Sequence, residues 1–149
     1  MLSEVLAAFL FAQLEKREEI QLVRRRIWNA YAESLCVWAQ TPRVQLPVVP
    51  AHCEQAYHMF YLLMPSLADR QALIAHFMAC DIASVFHYQP LHLSRMGRQY
   101  GYSPGDFPVT QHVSDRSVRL PFYNSMDEGE LQRIVEAIMS VRLPSEQGV

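Results

Sequence analysis

Apolar residues recur at helical spacing along the first part of the chain, and neither glycine nor proline interrupts residues 2–38. A charged stretch, KREE, divides the apolar stripe in two, and a charge run of this kind is typical of the solvated face of a helix. The pattern therefore predicts one long helix over residues 1–40, with the charged middle as the place for a bend. The apolar stripe consists of Leu2, Leu6, Phe9, Leu10, Leu14, Ile20, Val23, Ile27 and Tyr31.

Short apolar runs and one helical pattern follow a proline-rich connection. Residues 56–64 (AYHMFYLLM) are almost wholly apolar and rich in aromatic side chains, which predicts a buried strand. Ser66 opens a helix that ends near Cys80, and residues 84–88 (SVFHY) predict a second strand. Strand, helix and strand within about thirty residues is the pattern of one α/β unit.

The remaining chain predicts short elements around a glycine-containing loop. A short helix is expected at residues 94–100, another at residues 110–119, and an extended piece at residues 119–123. Ser125 predicts the N-cap of a final helix, and the chain from residue 144 onward predicts a frayed tail. The buried stripe of the final helix is expected to be Leu131, Ile134, Val135, Ile138 and Met139.

These elements predict an α/β fold, in the form of an α+β small domain. We expect a long N-terminal helix, a small mixed or antiparallel sheet of about three strands, and helices on one face of that sheet. So few strands make a poor sheet alone, and the apolar face of the first helix calls for a partner. We therefore expect the chain to enter mid-fold, with a long helix over residues 1–40 that leads into a domain of residues 41–149.

Composition and charge mainly exclude functions. Half of the residues are hydrophobic and 19% are charged, which is globular composition. A formal net charge of -2 gives no general attraction to nucleic acid or to a membrane surface. The apolar N-terminal run is too short and too interrupted to span a bilayer. Three cysteines without a CxxC pair favour reduced thiols in a cytoplasmic protein over a disulfide framework or a zinc knuckle.

The sharpest cluster of candidate functional residues is HYQPLH, which places His87, Tyr88 and His92 at the end of a predicted strand. Strand ends are where α/β folds present functional side chains, yet surface histidines at a strand terminus would give the same spacing, and both readings stay open. A metal site fits poorly, because no carboxylate or third histidine is near in sequence. His58, among apolar residues, is more often a hydrogen-bonded core or edge histidine than a catalyst.

Absent motifs narrow the chemistry further. The sequence contains no GxGxxG, GxxxxGK[ST], GxSxG or HExxH motif. Its one lysine, Lys16, lies beside Glu15 and near Glu18 and Glu19, which is the environment of a solvated amine with a high pKa. The cysteines show no basic neighbour in sequence that would activate a thiol, so a cysteine nucleophile is not expected.

Five segments, in the same order along the chain, resemble the DegT-type sugar-nucleotide aminotransferases, which depend on pyridoxal phosphate. The resemblance implies the C-terminal domain of a fold-type I aminotransferase, entered by an interdomain helix. It also implies that His87, Tyr88 and His92 lie at the mouth of the active site and contact the sugar nucleotide, with His58 as a further candidate. The segments are SEVLAAFLFAQLEKREEI, RRRIWNAYAESL, HMFYLLMP, ADRQALIAHFMACDIASVFHYQPLH and VSDRSVRLPFYNSMDEGELQRIVEAI.

The same resemblance implies that essential parts of such an enzyme lie outside this chain. In the family, a large domain holds the Schiff-base lysine and most phosphate ligands of the cofactor, and the enzyme pairs with a homodimer partner. We therefore expect a fragment or half of a split gene that is inactive and binds no pyridoxal phosphate by itself. The implied reaction is amination of a 4-keto-6-deoxy sugar nucleotide, with glutamate as donor, for surface polysaccharide or enterobacterial common antigen.

Two other functions stay open at this point. The chain could be a stand-alone interaction or regulatory domain that docks on an intact aminotransferase through its first helix. It could also be an unrelated small enzyme built on HYQPLH, although the nucleophile or metal partners that such an enzyme needs are missing.

Overall fold

Two consecutive helices, α1 (Glu4–Glu15) and α2 (Arg17–Leu35), begin the computed structural model, which describes residues 3–40, 43–86 and 88–146. Lys16 separates the two helices with φ -94° and ψ 8°, and its amide N–H donates to the carbonyl of Gln13 at 3.2 Å. The predicted long N-terminal helix is therefore present, and the bend expected in its charged middle falls at a single residue. It ends at Leu35, earlier than predicted.

The second helix carries the residues that anchor this N-terminal part to the core. Ile27, Tyr31 and Leu35 recur every four residues and are buried, because that spacing places them on one face of the helix. The Tyr31 hydroxyl donates to the carbonyl of Pro121 at 2.9 Å, and its ring centroid lies 5.3 Å from that of Phe60. In contrast, α1 buries none of its residues.

A three-stranded antiparallel sheet forms the centre of the fold, in the order β1 (Tyr61–Leu63), β3 (Ser117–Arg119), β2 (Val85–Phe86). Leu62 and Val118 are paired in register and fully buried on one face, which α3 (Leu67–Ala79) covers. The predicted small sheet with helices on one face is thus confirmed, and it is antiparallel.

The central strand is the element that the sequence pattern placed wrongly. Residues 117–119 were expected to end a helix, with an extended piece only from residue 119 onward, whereas α5 (Pro108–Arg116) ends directly before residue 117. Ser117 is already extended, with φ -77° and ψ 129°, and the next residues pair with a strand on either side. The short polar segment carries no strand pattern of its own, so pairing with distant strands decides its conformation.

The two outer strands are shorter than their apolar runs suggested. Tyr57 adopts a left-handed conformation with φ 47°, and strand pairing of β1 begins only at Tyr61. His58 therefore precedes the strand, which corrects its predicted place within one. The second strand is confined to Val85–Phe86 among the residues that the structure describes, since residue 87 lies outside them.

The structure also contains the short helix α4 (Arg95–Gln99), which precedes α5, and the final helix α6 (Glu128–Ser140). The N-cap of α6 differs from the one expected. Asp127 rather than Ser125 caps it, in a capping box: the Asp127 carboxylate accepts from the Glu130 amide at 2.8 Å, and the Glu130 carboxylate accepts from the Asp127 amide at 3.1 Å. Three of the predicted stripe residues are buried and Leu131 is half-buried, but Met139 is 46% exposed.

The C-terminal segment is held in place further than a frayed tail would be. Leu143 is buried, and the amide of Ser145 donates to Oδ1 of the buried Asp69 at 3.0 Å. The other oxygen of Asp69 accepts from the hydroxyl of Ser66 at 2.6 Å. The predicted fraying from residue 144 is therefore wrong as far as residue 146, and residues 147–149 lie outside the described part of the chain. None of the described helices is long and apolar enough to cross a membrane.

Candidate functional site

The segment from Tyr88 to His92, called the 88–92 turn below, leaves the sheet after β2 and is closed by local hydrogen bonds. Pro90 is buried and lies directly before one turn of 3-10 helix. Its ring fixes φ at -56°, and its ψ of 133° keeps the residue outside the helix. Ser94 then caps α4: its hydroxyl donates to the carbonyl of Leu91 at 2.7 Å and accepts from the amide of Gly97 at 3.0 Å.

Gly97 lets α4 pack directly on the backbone of the 88–92 turn. A Cβ atom at this position would lie 2.3 Å from the carbonyl oxygen of Leu91 and 2.7 Å from that of His92. No side chain fits at those distances. A glycine in this helix is therefore required by close backbone approach, which also fixes where the helix begins relative to His92.

A chain of polar contacts ties the turn to the helices on the buried side. The hydroxyl of Ser114 donates to the carbonyl of Tyr88 at 2.5 Å. The carbonyl of Ser114 accepts from Nη1 of Arg70 at 3.0 Å, and the Arg70 guanidinium stacks on the ring of Phe86, 5.0 Å from its centroid. Arg70 is itself buried, so this chain of contacts is largely shielded from solvent.

Among the predicted site residues that the structure describes, His92 is the most enclosed. It is only 6% exposed, and its ring centroid lies 5.0 Å from that of Phe107. Its Nε2 atom is buried and has no hydrogen-bond partner among the described residues. A buried polar atom without a partner costs free energy, so a small rearrangement that offers one would be favoured.

Two adjoining cavities flank the turn. One of about 530 Å³ is bordered by His92 and by aromatic rings, and a second of about 460 Å³ is bordered by Tyr88. Leu91 and Thr110 border both cavities, which makes them parts of one continuous apolar surface. The larger cavity is lined by Leu91, His92, Ser94, Met96, Gly97, Tyr100, Tyr102, Phe107 and Thr110.

A third and larger groove, of about 610 Å³, lies between α2 and residues 54–57, away from these residues. Its lining charges compensate one another, as in the Arg17–Glu18 pair at 2.7 Å, and it contains no residue that the sequence singled out. We therefore regard the surface beside the 88–92 turn as the candidate site.

The structure brings two of the four predicted residues to this surface. Tyr88 is 65% exposed at one cavity and His92 is buried at the other, while His87 lies outside the described residues. His58 borders neither cavity: it is exposed before β1, and its carbonyl accepts from Nη1 of Arg24 at 3.2 Å. Its predicted contact with substrate stays a prediction.

Sequence reasoning missed the aromatic wall of the larger cavity. Tyr102 and Phe107 have ring centroids 5.6 Å apart, and Phe107 in turn contacts His92. Both residues come from the stretch that was interpreted simply as a loop. The signal that could have identified the wall is the density of aromatic residues around the two glycines in QYGYSPGDF.

One cysteine has a basic neighbour that the sequence analysis overlooked. Sγ of Cys80 lies 3.9 Å from Nε2 of His76, which is one helical turn earlier and also contacts Oγ of Ser140 at 3.2 Å. His76 is therefore a basic neighbour of Cys80 in space, whereas the expectation that no cysteine acts as a nucleophile stays a prediction. Within the described ranges, no group of three or more His, Cys, Asp or Glu side chains could hold a metal ion.

Comparison with known proteins identifies relatives that share this architecture. Spr1654 of Streptococcus pneumoniae in its PMP form superimposes with a TM-score of 0.85 at 20% identity, over 99% of this chain and 36% of that chain. The protein MJ1066 of Methanocaldococcus jannaschii is 26% identical over 144 residues, which cover 94% of this chain and 36% of that protein. The dTDP-3-amino-3,6-dideoxy-alpha-D-galactopyranose transaminase of Aneurinibacillus thermoaerophilus is 25% identical over 137 residues, which cover 92% and 36%.

The fold is therefore that of a segment of sugar aminotransferases. The model of the DegT/DnrJ/EryC1/StrS aminotransferase family matches residues 1–139, and the chain belongs to this family. It spans 36% of the length of both relatives named above.

The family depends on pyridoxal phosphate, but the residues of this chain do not fit a Schiff base with that cofactor. A lysine that forms the Schiff base must react as a neutral amine in a sequestered pocket. Nζ of Lys16 lies instead 2.9 Å from Oε2 of Glu19, and both side chains are 68% exposed. The hydrogen bond and charge of Glu19 raise the pKa of Lys16, which keeps the amine protonated.

Proposed function

We propose that this chain provides the small, substrate-binding domain of an aminotransferase that aminates a sugar nucleotide. The observation that carries this proposal is the concave, ring-lined surface beside the 88–92 turn, in a chain that matches the sugar aminotransferase family from residue 1 to residue 139. A large domain on another polypeptide segment would supply pyridoxal phosphate and the Schiff-base lysine, and the complete enzyme would be a homodimer in the cytoplasm. The chain alone would be inactive.

The side chains at the turn suit a sugar nucleotide. In this proposal the phenol of Tyr88 and the imidazoles of His87 and His92 donate or accept hydrogen bonds to sugar hydroxyls and phosphate oxygens without a fixed charge. The rings of Tyr102 and Phe107 offer apolar faces to the carbon skeleton of a sugar or to a base. These residues bind and orient the substrate, and the chemistry at the amino group belongs to the cofactor.

The substrate that we propose is a 4-keto-6-deoxy sugar nucleotide, with glutamate as amino donor, in lipopolysaccharide or enterobacterial common antigen synthesis. The support for amination at position 4 of the sugar is the sequence of the segments HMFYLL and VFHYQPLH, which is similar to that of dTDP-4-amino-4,6-dideoxygalactose transaminases. The Aneurinibacillus relative is named for amination at position 3. Supplying the complete enzyme with matched 3-keto and 4-keto sugar nucleotides separates the two: preference for the 3-keto substrate would refute our choice.

Binding of substrate tests the role of the turn directly. We expect a dTDP-6-deoxy-4-keto sugar to shift the amide NMR signals of residues 88–110 in the isolated chain, and Tyr88→Phe to weaken this effect. Tyr123→Phe is the matched control, because Tyr123 is also exposed but borders neither cavity. Shifts confined to other surfaces would contradict the proposal.

The alternative of a stand-alone domain that docks on an intact aminotransferase predicts a different result. Such a domain would change the activity of a separate, complete enzyme of the family when the two are mixed. In our proposal the chain leaves that activity unchanged, and activity arises only when a large domain with its lysine is supplied.

A further inference from the structure

The face of the sheet opposite to the helices carries an arginine at its centre. Leu62 and Val118 point to the covered face, so their neighbours along the strands point to the other one. There Arg119 lies in register between Tyr61 on one side and Val85 on the other. Arg119 is half-buried, and neither of the residues paired with it carries a charge at neutral pH.

Arg119 differs from every other arginine of this chain that is not exposed. Arg24 donates to the side chain of Asn124, the buried Arg70 donates to the carbonyl of Ser114, and Arg116 donates to the carbonyl of Met64. No hydrogen bond or ion pair joins the side chain of Arg119 to any residue in the ranges 3–40, 43–86 and 88–146.

An unpaired guanidinium is an unfavourable choice for the middle strand of a sheet. None of the guanidinium nitrogens of Arg119 is among the buried side-chain atoms that lack a partner, so the group remains accessible to solvent, and no counter-charge in the described chain neutralises it. Central strand positions otherwise favour β-branched and aromatic side chains, which pack well on a pleated surface. Guanidinium groups bind carboxylates and phosphates through two parallel hydrogen bonds, and the flat geometry makes this contact strong and specific.

We infer that Arg119 binds an oxyanion, a carboxylate or a phosphate, on the open face of the sheet, with the hydroxyl of Tyr61 beside it. The side chain of Tyr61 is half-buried on the same face and can donate to an oxygen of the same ligand. This site is distinct from the two cavities at the 88–92 turn, since Arg119 borders neither of them.

The site lies close enough to the turn to hold another part of the same substrate. Val85, the strand partner of Arg119, precedes Tyr88 by three residues, which span at most about 11 Å. This assignment of the anion rests on the proposed function: it would be the phosphate of the sugar nucleotide or the carboxylate of the amino donor. The presence of an anion site does not depend on that function.

Titration of this chain with simple anions tests the inference. Sodium pyrophosphate and sodium glutarate, each added at constant ionic strength, represent the phosphate and the carboxylate. The backbone amide NMR signals of Tyr61, Val85 and residue 119, which every variant retains, report binding. We expect a saturable shift with one of them, weakened about tenfold or more in Arg119→Gln because charge-assisted hydrogen bonds are lost. Saturation by pyrophosphate assigns the phosphate, and saturation by glutarate assigns the carboxylate.

Two further variants make the result decisive. Arg119→Lys keeps the charge but not the planar fork, so we expect intermediate affinity, and it replaces Arg119→Gln if that variant does not fold. Arg142→Gln is the matched control, because Arg142 is exposed and lies outside the sheet, and its affinity should equal that of the parent chain. No saturable shift with either anion, or equal affinity in the Arg119 variants, overturns the inference. Anion binding without any response to a sugar nucleotide would refute only the proposed function.

Discussion

The hydroxyl of Ser114 donates a hydrogen bond of 2.5 Å to the carbonyl of Tyr88, which lies 26 residues earlier in the chain. This contact joins the buried side of α5 to the first residue of the 88–92 turn, and Arg70 holds the backbone of Ser114 from the other side. Tyr88, a candidate substrate-binding residue, thus has an exposed side chain. Its backbone is held in place by a series of hydrogen bonds that are largely shielded from solvent.

Replacing Ser114 by alanine should therefore loosen the turn. We expect Ser114→Ala to lower the free energy of unfolding by about 1 kcal/mol, because the Tyr88 carbonyl loses a partly buried hydrogen bond. Amide hydrogen exchange should rise at residues 88–92. Urea unfolding and exchange measurements check both effects, and Ser103→Ala, at an exposed hydroxyl, is the control. Equal stability of the two variants would contradict this reading.

A methyl group at Gly97 should disrupt the packing of α4 on the turn. We expect Gly97→Ala to destabilise the chain by about 1–3 kcal/mol, since its Cβ would overlap the carbonyl of Leu91. Gly129→Ala is the matched control within a helix: its Cβ would meet only the end of the Asp127 side chain, at 3.3 Å. Thermal unfolding of both variants checks the prediction, which fails if Gly97→Ala melts at the temperature of the parent chain.

The N-cap of α6 gives a direct contrast between two neighbouring residues. Asp127→Ala should cost about 1 kcal/mol of stability, because the amide of Glu130 loses its acceptor. Ser125→Ala should leave stability unchanged within about 0.5 kcal/mol, since Ser125 is exposed and caps no helix. Urea unfolding measures both values, and the reverse order would show that the cap is wrongly assigned.

Stability should fall in alkaline solution through Tyr31. Burial raises the pKa of Tyr31 in the folded chain above its ordinary value of about 10. Below pH about 10 both states keep the proton, and above it only the unfolded chain releases it, so the free energy of unfolding decreases as the pH rises. Urea unfolding between pH 8 and about 11 should show a shallower decrease in Tyr31→Phe than in the parent chain.

Two controls complete this experiment. Tyr31→Phe also loses the hydrogen bond to Pro121, so its stability at pH 8 should be lower by about 1 kcal/mol. Tyr102→Phe, at an exposed phenol, should keep the full pH dependence of the parent chain. A pH dependence in Tyr31→Phe as steep as that of the parent chain would exclude Tyr31 as its source.

The first helix should make the isolated chain self-associate. Its large apolar side chains, including Phe9 at 68% exposure and Phe11 at 64%, form a surface that water disfavours. We expect the apparent mass in sedimentation to rise with concentration, and Phe9→Glu together with Leu6→Glu to return the chain to a monomer. Leu22→Glu, at an exposed leucine of α2, is the control and should change the mass less.

The sequence by itself determined the helices and the family. The period of apolar residues in α2 and α6 identified most of their buried faces, because residues three and four positions apart lie on the same face of a helix. The order of five motifs led to the aminotransferase family, which the match over residues 1–139 confirmed. The sequence likewise identified the HYQPLH motif, which contains the 88–92 turn, as the candidate functional segment.

Only the tertiary structure decided the middle of the sheet and the walls of the site. Residues 117–119 carry no strand pattern, and they are extended because β1 and β2 pair with them on both sides. Phe107 contacts His92, and Tyr102 contacts Phe107, only after the loop folds back, and Arg119 reaches the open face only once the register is set. Local sequence encodes local periodicity, whereas contacts between residues distant along the chain depend on which surfaces remain to be covered when the elements assemble.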